Sequence, residues 1–298
     1  MRLLSHSFLT PGLLSLSIAA ILHAGAATAA PTAGQLVQPS YAPVQQHVGG
    51  GIMLPATAGL TAPAGAEKLF VTPAGLQVEG GFPTLANATA RIETRIKGRR
   101  VSAAYLFAAA QELEKAYINA GYLLARVSLP PQQIKDGAPL RVVITDGYVE
   151  RIDASALPES ARHRVESLLQ PLVGEKQVTR KTLERRLLLA GDTPGVMLKS
   201  TLKPGEKPGS TVLIVDGRYD AVTGLATFDN GLSDELGKYS RGVGGQLNNL
   251  TGFGEQIYAR LNGYPRGDNP FTDTHPRNRQ WALGAVVPLR NDGAWMNV

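Results

Sequence analysis

A six-residue pattern occurs twice in the chain, and this repeat constrains the fold more than any other feature. Residues 142–147 read VVITDG, and residues 212–217, which lie 70 positions later, read VLIVDG. Each copy is a β-branched run that stops at Asp-Gly, as is typical of a strand that ends in a turn. A fixed offset of this kind indicates an internal repeat, so we expect two copies of one folding unit.

Composition excludes several classes of function. The 298 residues contain no cysteine, which rules out thiol catalysis, cysteine-based metal sites and disulfides. The net charge of +6 is spread over the repeats and is not clustered, so nucleic acid is not an expected partner. None of the five histidines lies in a metal-ligand spacing. We therefore predict no catalytic residue, no metal and no cofactor.

The first part of the chain carries a targeting signal and a spacer. Residues 1–30 combine Arg2, an apolar run and the small-residue pattern Ala-Thr-Ala, which is typical of a secretory signal peptide. Residues 31–67 are rich in Pro, Ala and Gly and show no sustained period, which indicates a linker. We therefore expect the protein to be exported from the cytoplasm.

Two units with the same order of elements follow the linker. Residues 68–146 and 147–217 each predict the order β-α-α-β-β, which is an α+β fold. Ser102 and Thr179 are the expected N-caps of the second helix in each unit. Residues 122–129 are predicted to form a strand that ends at Pro130-Pro131.

Helical periodicity disappears after Gly217, and residues 218–298 contain strand-length runs instead. In residues 255–264 and 279–289, apolar and polar side chains alternate, and the breaks between runs are alternately long and short. Strands of this kind are typical of a transmembrane β-barrel; the alternative is a soluble sandwich with one wet face. In a barrel, the expected lipid-facing residues are Ile257, Leu261, Trp281 and Leu283. The expected lumen-facing residues are Gln256, Arg260, Asn262 and Gln280.

The number of strands leads to a further expectation about chain length. Four strands and the start of a fifth fit before Val298, whereas the smallest barrels of this type need about eight strands. We therefore expect the chain to be the N-terminal part of a longer protein.

Three stretches carry a resemblance to a known family. They are residues 121–132 (GYLLARVSLPPQ), residues 215–219 (VDGRY) with the Asp-Asn-Gly at 229–231, and residues 247–255 (LNNLTGFGE). Together with the order of the elements, they resemble the two-partner secretion transporters of the ShlB/FhaC/HecB group, over residues 69–298. The resemblance implies two tandem POTRA domains, followed by the first strands of an outer-membrane β-barrel.

This resemblance also implies a function and a set of partners. The expected partner is an unfolded secreted exoprotein, which the periplasmic domains would recognise and the barrel would export. Outer-membrane lipid and the barrel-assembly machinery that inserts the barrel are the other expected partners. An extended chain can add to an exposed sheet edge, and the predicted contacts at that edge are Tyr122, Leu124, Arg126 and Ser128. A periplasmic binding or scaffold protein and a barrel-assembly factor remain as alternatives.

Overall fold

The computed structural model describes residues 60–264, 274–275 and 278–298, all of which lie in one compact unit, Ser40–Val298. The predicted signal peptide and most of the predicted linker lie outside these residues. Among the described helices, none combines the length and the apolar character needed to cross a membrane.

The first module is a small sheet covered by two helices. Its elements are β1 (Phe70–Val71), β2 (Leu76–Gly80), α1 (Ala86–Ile96), β3 (Val101–Ser102), α2 (Ala103–Asn119), β4 (Arg126–Ser128) and β5 (Leu140–Thr145). β5 lies in the middle of the sheet, parallel to β2 and antiparallel to β4, while β1 and β3 form a separate ribbon. The Ser102 hydroxyl accepts a hydrogen bond from the Tyr105 backbone N–H at 3.2 Å, so the predicted cap of α2 is confirmed.

The second module repeats this arrangement. Its elements are β6 (Tyr148–Asp153), α3 (Glu159–Leu169), α4 (Arg180–Gly191), β7 (Val196–Pro204) and β8 (Ser210–Tyr219). β8 lies in the middle, parallel to β6 and antiparallel to β7. The two copies of the repeated pattern therefore begin in β5 and lie in β8, the central strands of equivalent sheets. The predicted cap Thr179 is also confirmed, since its hydroxyl accepts from the Thr182 N–H at 3.1 Å.

The prediction of one strand over residues 122–129 is wrong for its first half. Only Arg126–Ser128 is extended, and the chain before it turns. The Tyr122 N–H donates to the Tyr117 carbonyl at 3.0 Å, and the Ala125 N–H donates to the Tyr122 carbonyl at 3.3 Å. Gly121 makes this turn possible because its φ of 98° is in the left-handed region.

Residues 60–67, which were assigned to the linker on composition, pack onto the first module. Leu60 is buried in its core, together with Leu106 and Ile92, and Ala66 is also buried. The Leu60 carbonyl also accepts a hydrogen bond from Nε2 of Gln111 on α2, at 2.8 Å. Burial of two apolar side chains makes this stretch part of the folded module.

The rest of the chain forms one open antiparallel sheet. Its strands are β9 (Val222–Asp229), β10 (Ser240–Asn248), β11 (Gln256–Gly263), β12 (Arg279–Pro288) and β13 (Trp295–Asn297). Each strand pairs antiparallel with the next one along the chain. The strand-rich organisation predicted for residues 218–298 is confirmed, and only two residues separate the end of β8 from the start of β9.

Candidate functional site

The edge of the first module that could receive an extended chain is β4. This strand pairs with β5 on one side only, and α2 packs beside it. Successive residues of such a strand direct their backbone groups alternately toward the partner strand and toward the open edge. At the open edge, the Val127 N–H donates to Oε2 of Glu114 on α2, at 3.4 Å. The middle N–H group of this edge is therefore already bonded to a carboxylate of the same module.

Glu114 is an unusual side chain because it is acidic and only 3% exposed. Its Oε1 lies 3.6 Å from Nη1 of Arg126, and this oxygen has no hydrogen-bond partner among the described residues. Burial raises the pKa of Glu114 above its ordinary value of 4.5, and the charge of Arg126 and the Val127 N–H offset only part of this effect. An inward-pointing charge is one of the ways in which proteins protect an open sheet edge from unwanted pairing.

We expect Glu114 to make the stability of the first module depend on pH. A carboxyl group whose pKa is raised on folding stabilises the fold below pH 4.5, and this contribution is lost as pH rises through the folded-state pKa. Between about pH 4.5 and pH 7, Glu114→Gln should therefore gain stability relative to the unchanged protein. Urea unfolding across this range measures the difference. Glu184→Gln, at an exposed position on α4, is the control; an identical pH trend in both variants would contradict the assignment.

The four residues that were predicted to contact a docked chain lie in different environments. Tyr122 packs edge-on against Phe82, with 4.7 Å between the ring centres. The Arg126 side chain is 30% exposed, and Ser128 donates from its hydroxyl to the Val143 carbonyl at 3.5 Å. Leu124, by contrast, is only 4% exposed and is not available as a docking contact. Only Arg126 and Ser128 lie on β4 itself.

Leu124 is buried because it belongs to the core of the second module. Leu123 and Leu124 pack in one cluster with Val149, Val165 and Leu183. Next to them, the Arg180 N–H donates to the Gly121 carbonyl at 2.7 Å. The turn before β4 therefore completes the apolar core of the following module.

A second set of contacts joins the modules at Asp146, in the first copy of the repeated pattern. Its Oδ1 accepts from the Gln177 N–H at 3.0 Å, and its carbonyl accepts from Nζ of Lys176 at 3.2 Å. Gln177 has a φ of 52°, a conformation that a non-glycine residue adopts only when its surroundings favour it. Together with the shared core, these bonds hold the two modules as one platform.

The five-stranded sheet has two chemically different faces. The strand register places Asn262 opposite Gln280, and Arg260 and Gln256 follow on the same face of β11. Gln256 is buried in a hydrogen-bonded amide cluster: its Nε2 donates to Oδ1 of Asn248 at 2.7 Å and to Oε1 of Gln246 at 3.3 Å. The four residues predicted to face a lumen therefore share one polar face.

The opposite face of the sheet is apolar and exposed. Trp281 and Leu283 on β12 are 81% and 80% exposed. The register aligns Trp281 with Leu261 and Val243 across three strands. Other large apolar side chains exposed on this face are Val222, Phe228, Leu247 and Ile257. A soluble protein rarely leaves such a continuous apolar surface in water, so this face is an interaction surface.

The second module is bonded to the turns at one end of the sheet. Asn249, in the turn after β10, is fully buried; its Nδ2 donates to the Ser160 carbonyl at 3.0 Å, and its Oδ1 accepts from the Gly254 N–H at 2.7 Å. In the turn after β12, Oδ1 of Asn291 accepts from Nη1 of Arg164 at 2.6 Å. Composition and periodicity did not identify these residues, although Asn249 lies within one of the stretches that carries the family resemblance.

Nothing in the described part of the chain groups three or more His, Asp or Glu side chains in a way that could hold a metal ion. The arrangement consists instead of an open strand edge, two modules that are bonded to each other, and a sheet with one polar and one apolar face. Such surfaces bind and position other molecules.

Comparison with known proteins identifies the first module. Residues 72–147 match the family model described as "POTRA domain, ShlB-type". In sequence, the chain is 28% identical over 162 residues to the heme/hemopexin transporter protein HuxB of Haemophilus influenzae strain 86-028NP. That match covers 54% of this chain and 28% of HuxB, so the chain matches less than a third of the length of this relative. HuxB of strain ATCC 51907 is 26% identical over the same length. These relatives are named as transporters.

Two solved structures share the fold over most of this chain. CdiB from Escherichia coli superposes with a TM-score of 0.59 and 21% identity, over 78% of this chain and 43% of CdiB. CdiB from Acinetobacter baumannii gives a TM-score of 0.50 and 16% identity, over 80% of this chain and 46% of that protein. The fold class predicted from the sequence is therefore confirmed. The ShlB-type POTRA match and the HuxB matches support the resemblance to the two-partner secretion transporters that the sequence motifs indicate.

Proposed function

We propose that this protein is an outer-membrane transporter of a two-partner secretion system. Its modules, with the bounds 68–146 and 147–217, would lie in the periplasm, and residues 218–298 would form barrel wall. The observation that supports this most directly is the short connection from β8 into a sheet whose exposed face is apolar. A soluble scaffold protein would have to cover Trp281 and Leu283, whereas a lipid bilayer covers them directly.

The proposed first step is docking of an unfolded exoprotein on the edge of β4. An extended segment would pair with the strand through main-chain hydrogen bonds, and its alternate side chains would contact Tyr122, Arg126 and Ser128. The segment needs the Val127 N–H, so it must displace Glu114 from this donor. Arg126, whose Nη1 lies 3.6 Å from Oε1 of Glu114, is the cation that would stay closest to the displaced carboxylate.

The proposed second step is transfer along the polar face of the sheet. Arg260, Asn262 and Gln280 would line the lumen and offer hydrogen bonds to a passing peptide backbone, while the opposite face contacts outer-membrane lipid. Gln256 lies on the same face of β11, but it is buried and would support the wall through its amide cluster. Because the second module is bonded to the turns of the sheet through Asn249 and Arg164, a chain held at the modules remains close to this entrance. Insertion of the wall would depend on the barrel-assembly machinery.

The proteins that the source bacterium releases into the medium test the proposal. Deletion of the gene should remove a large exported protein from the medium, and expression of the unchanged gene should restore it. Val127→Pro removes the edge-facing N–H of β4 and also replaces a side chain of the first core, so export is compared at equal outer-membrane levels of the variant and the unchanged protein. At equal levels, Val127→Pro should fail to restore export. Glu114→Gln, which preserves that N–H, is the matched variant that should restore it.

The possible outcomes separate the two parts of the proposal. If the released proteins are the same with and without the gene, the transport function is wrong. If the gene is required but Val127→Pro restores export fully, transport stands and the docking role of β4 is wrong.

A further inference from the structure

Helix α4 of the second module exposes an apolar side chain among basic ones. Leu188 is 57% exposed, whereas Leu183 and Ala190 of the same helix are buried. The helix contains one acidic residue, Glu184, and four basic ones, Arg180, Lys181, Arg185 and Arg186. An exposed leucine beside several cationic side chains is the combination that peripheral helices present to a phospholipid surface.

The fold places this helix against the turn between β12 and β13. Nη2 of Arg185 donates to the Asp292 carbonyl at 3.5 Å, and Leu189 packs so closely to Gly293 that an added Cβ would lie 2.8 Å from its Cδ2. Leu189 and Gly293 also line a shared cavity of about 120 Å³ with Arg164 and Arg290. The last turns of α4 are therefore fixed beside the end of the sheet.

The apolar face of the sheet ends at the same place. It continues along β12 from Trp281 and Leu283 to Leu289, which is 58% exposed in this turn, and Met296 of β13, which pairs beside Val287, is exposed on the same face. Arg290 follows directly after Leu289, and a long basic side chain at the end of an apolar strand face can reach the headgroups of a bilayer. The position of α4 therefore coincides with the expected headgroup layer.

We propose that Leu188, Lys181 and Arg185 of the second module contact the periplasmic surface of the membrane that surrounds the sheet. Leu188 enters the headgroup layer, and the two cationic side chains bind lipid phosphates, with their aliphatic stems along the apolar surface. This inference rests on the proposed function, since it requires the sheet to lie in a bilayer. It adds that lipid binding orients the module, in addition to the bonds made by Asn249 and Arg164.

Site-specific fluorescence in vesicles tests this contact. The sequence has no cysteine, so single cysteines introduced at Leu188, Lys207 or Leu283 can each carry one environment-sensitive dye. The gene product is reconstituted in vesicles of phosphatidylethanolamine and phosphatidylglycerol that contain lipids with a nitroxide on the headgroup or on the acyl chain. Lys207 is the control, because it is exposed in the turn before β8, at the opposite end of that strand from the sheet.

We expect headgroup nitroxides to quench the dye at Leu188 at least about twofold more than the dye at Lys207. Acyl-chain nitroxides should quench the dye at Leu283, which reports separately that the sheet is inserted. Equal quenching at Leu188 and Lys207, with Leu283 quenched, overturns the lipid contact and leaves the proposed function intact. Absence of quenching at Leu283 overturns both.

Discussion

Replacing Leu124 by alanine should destabilise the second module by about 2–5 kcal/mol, although the residue precedes that module in the chain. Leu124 is buried in the same cluster as Val149, Val165 and Leu183, and alanine would leave a cavity among them. Urea unfolding measures the loss of free energy. Hydrogen exchange locates it, because peptides from α3 and α4 should lose protection more than peptides from α1 and α2.

Leu69→Ala provides the matched control for this prediction. Leu69 is a leucine of the first module that is 65% exposed, so its truncation should change stability by no more than about 0.5 kcal/mol. Loss of protection confined to α1 and α2 in the Leu124→Ala protein would show that Leu124 belongs to the core of the first module. Its assignment to the core of the second module would then be wrong.

The shared core has a consequence for how the modules act. A cut after Asp146 would follow the sequence repeat, but it would remove Leu123 and Leu124 from the core of the second module. It would also remove the acceptors of Gln177 and Lys176. For this reason, removal of residues 68–146 would both delete the docking edge and damage the core of the second module. Substitutions in β4 affect the docking edge without removing Leu123 and Leu124. Because the modules are joined in this way, we expect a segment that binds β4 and is pulled to move both modules together.

The features predicted correctly from the sequence are those whose causes are local. Ser102 and Thr179 cap helices because a side-chain oxygen accepts from an N–H three residues later, which the sequence displays directly. The alternation in residues 255–264 and 279–289 also follows from a period of two along each strand. The repeat identified the central strand of each module, because both copies consist of a β-branched run followed by Asp-Gly.

The features that were missed depend on contacts between distant parts of the chain. Residues 122–125 are apolar and strand-like in composition, yet they turn because two of them are buried in a core built mainly from residues 149–215. Glu114 is one of two acidic residues on an amphipathic helix, and only the fold places it beside Val127. Leu60 lies in a stretch with the composition of a linker, and only its packing beneath α2 shows that it is structured.

The glycine that ends each copy of the repeated pattern has a structural reason that the fold reveals. A Cβ added to Gly217 would collide with the carbonyl oxygen of Met197 on β7, and one added to Gly147 would collide with the carbonyl oxygen of Leu124. In both modules, the glycine therefore lies directly against a backbone carbonyl of the edge segment. Backbone atoms cannot move aside as the end of a flexible side chain can, so any larger residue must displace the edge.

Gly217→Val should therefore destabilise the second module by about 1–3 kcal/mol, since its Cβ requires β7 to separate from β8. Thermal unfolding and hydrogen exchange of β7 measure the effect. Gly191→Ala, at the end of α4, is the control: no described atom lies within 4 Å of an added Cβ there, and stability should stay unchanged or rise by about 0.4–1 kcal/mol. If Gly217→Val were as stable as the unchanged protein, close backbone approach would not explain the repeated glycine. If only β7 loses protection, the glycine of the Asp-Gly pattern is needed for β7 to pair with β8. Because β8 leads directly into β9, the same glycine then also supports the connection from the second module into the sheet.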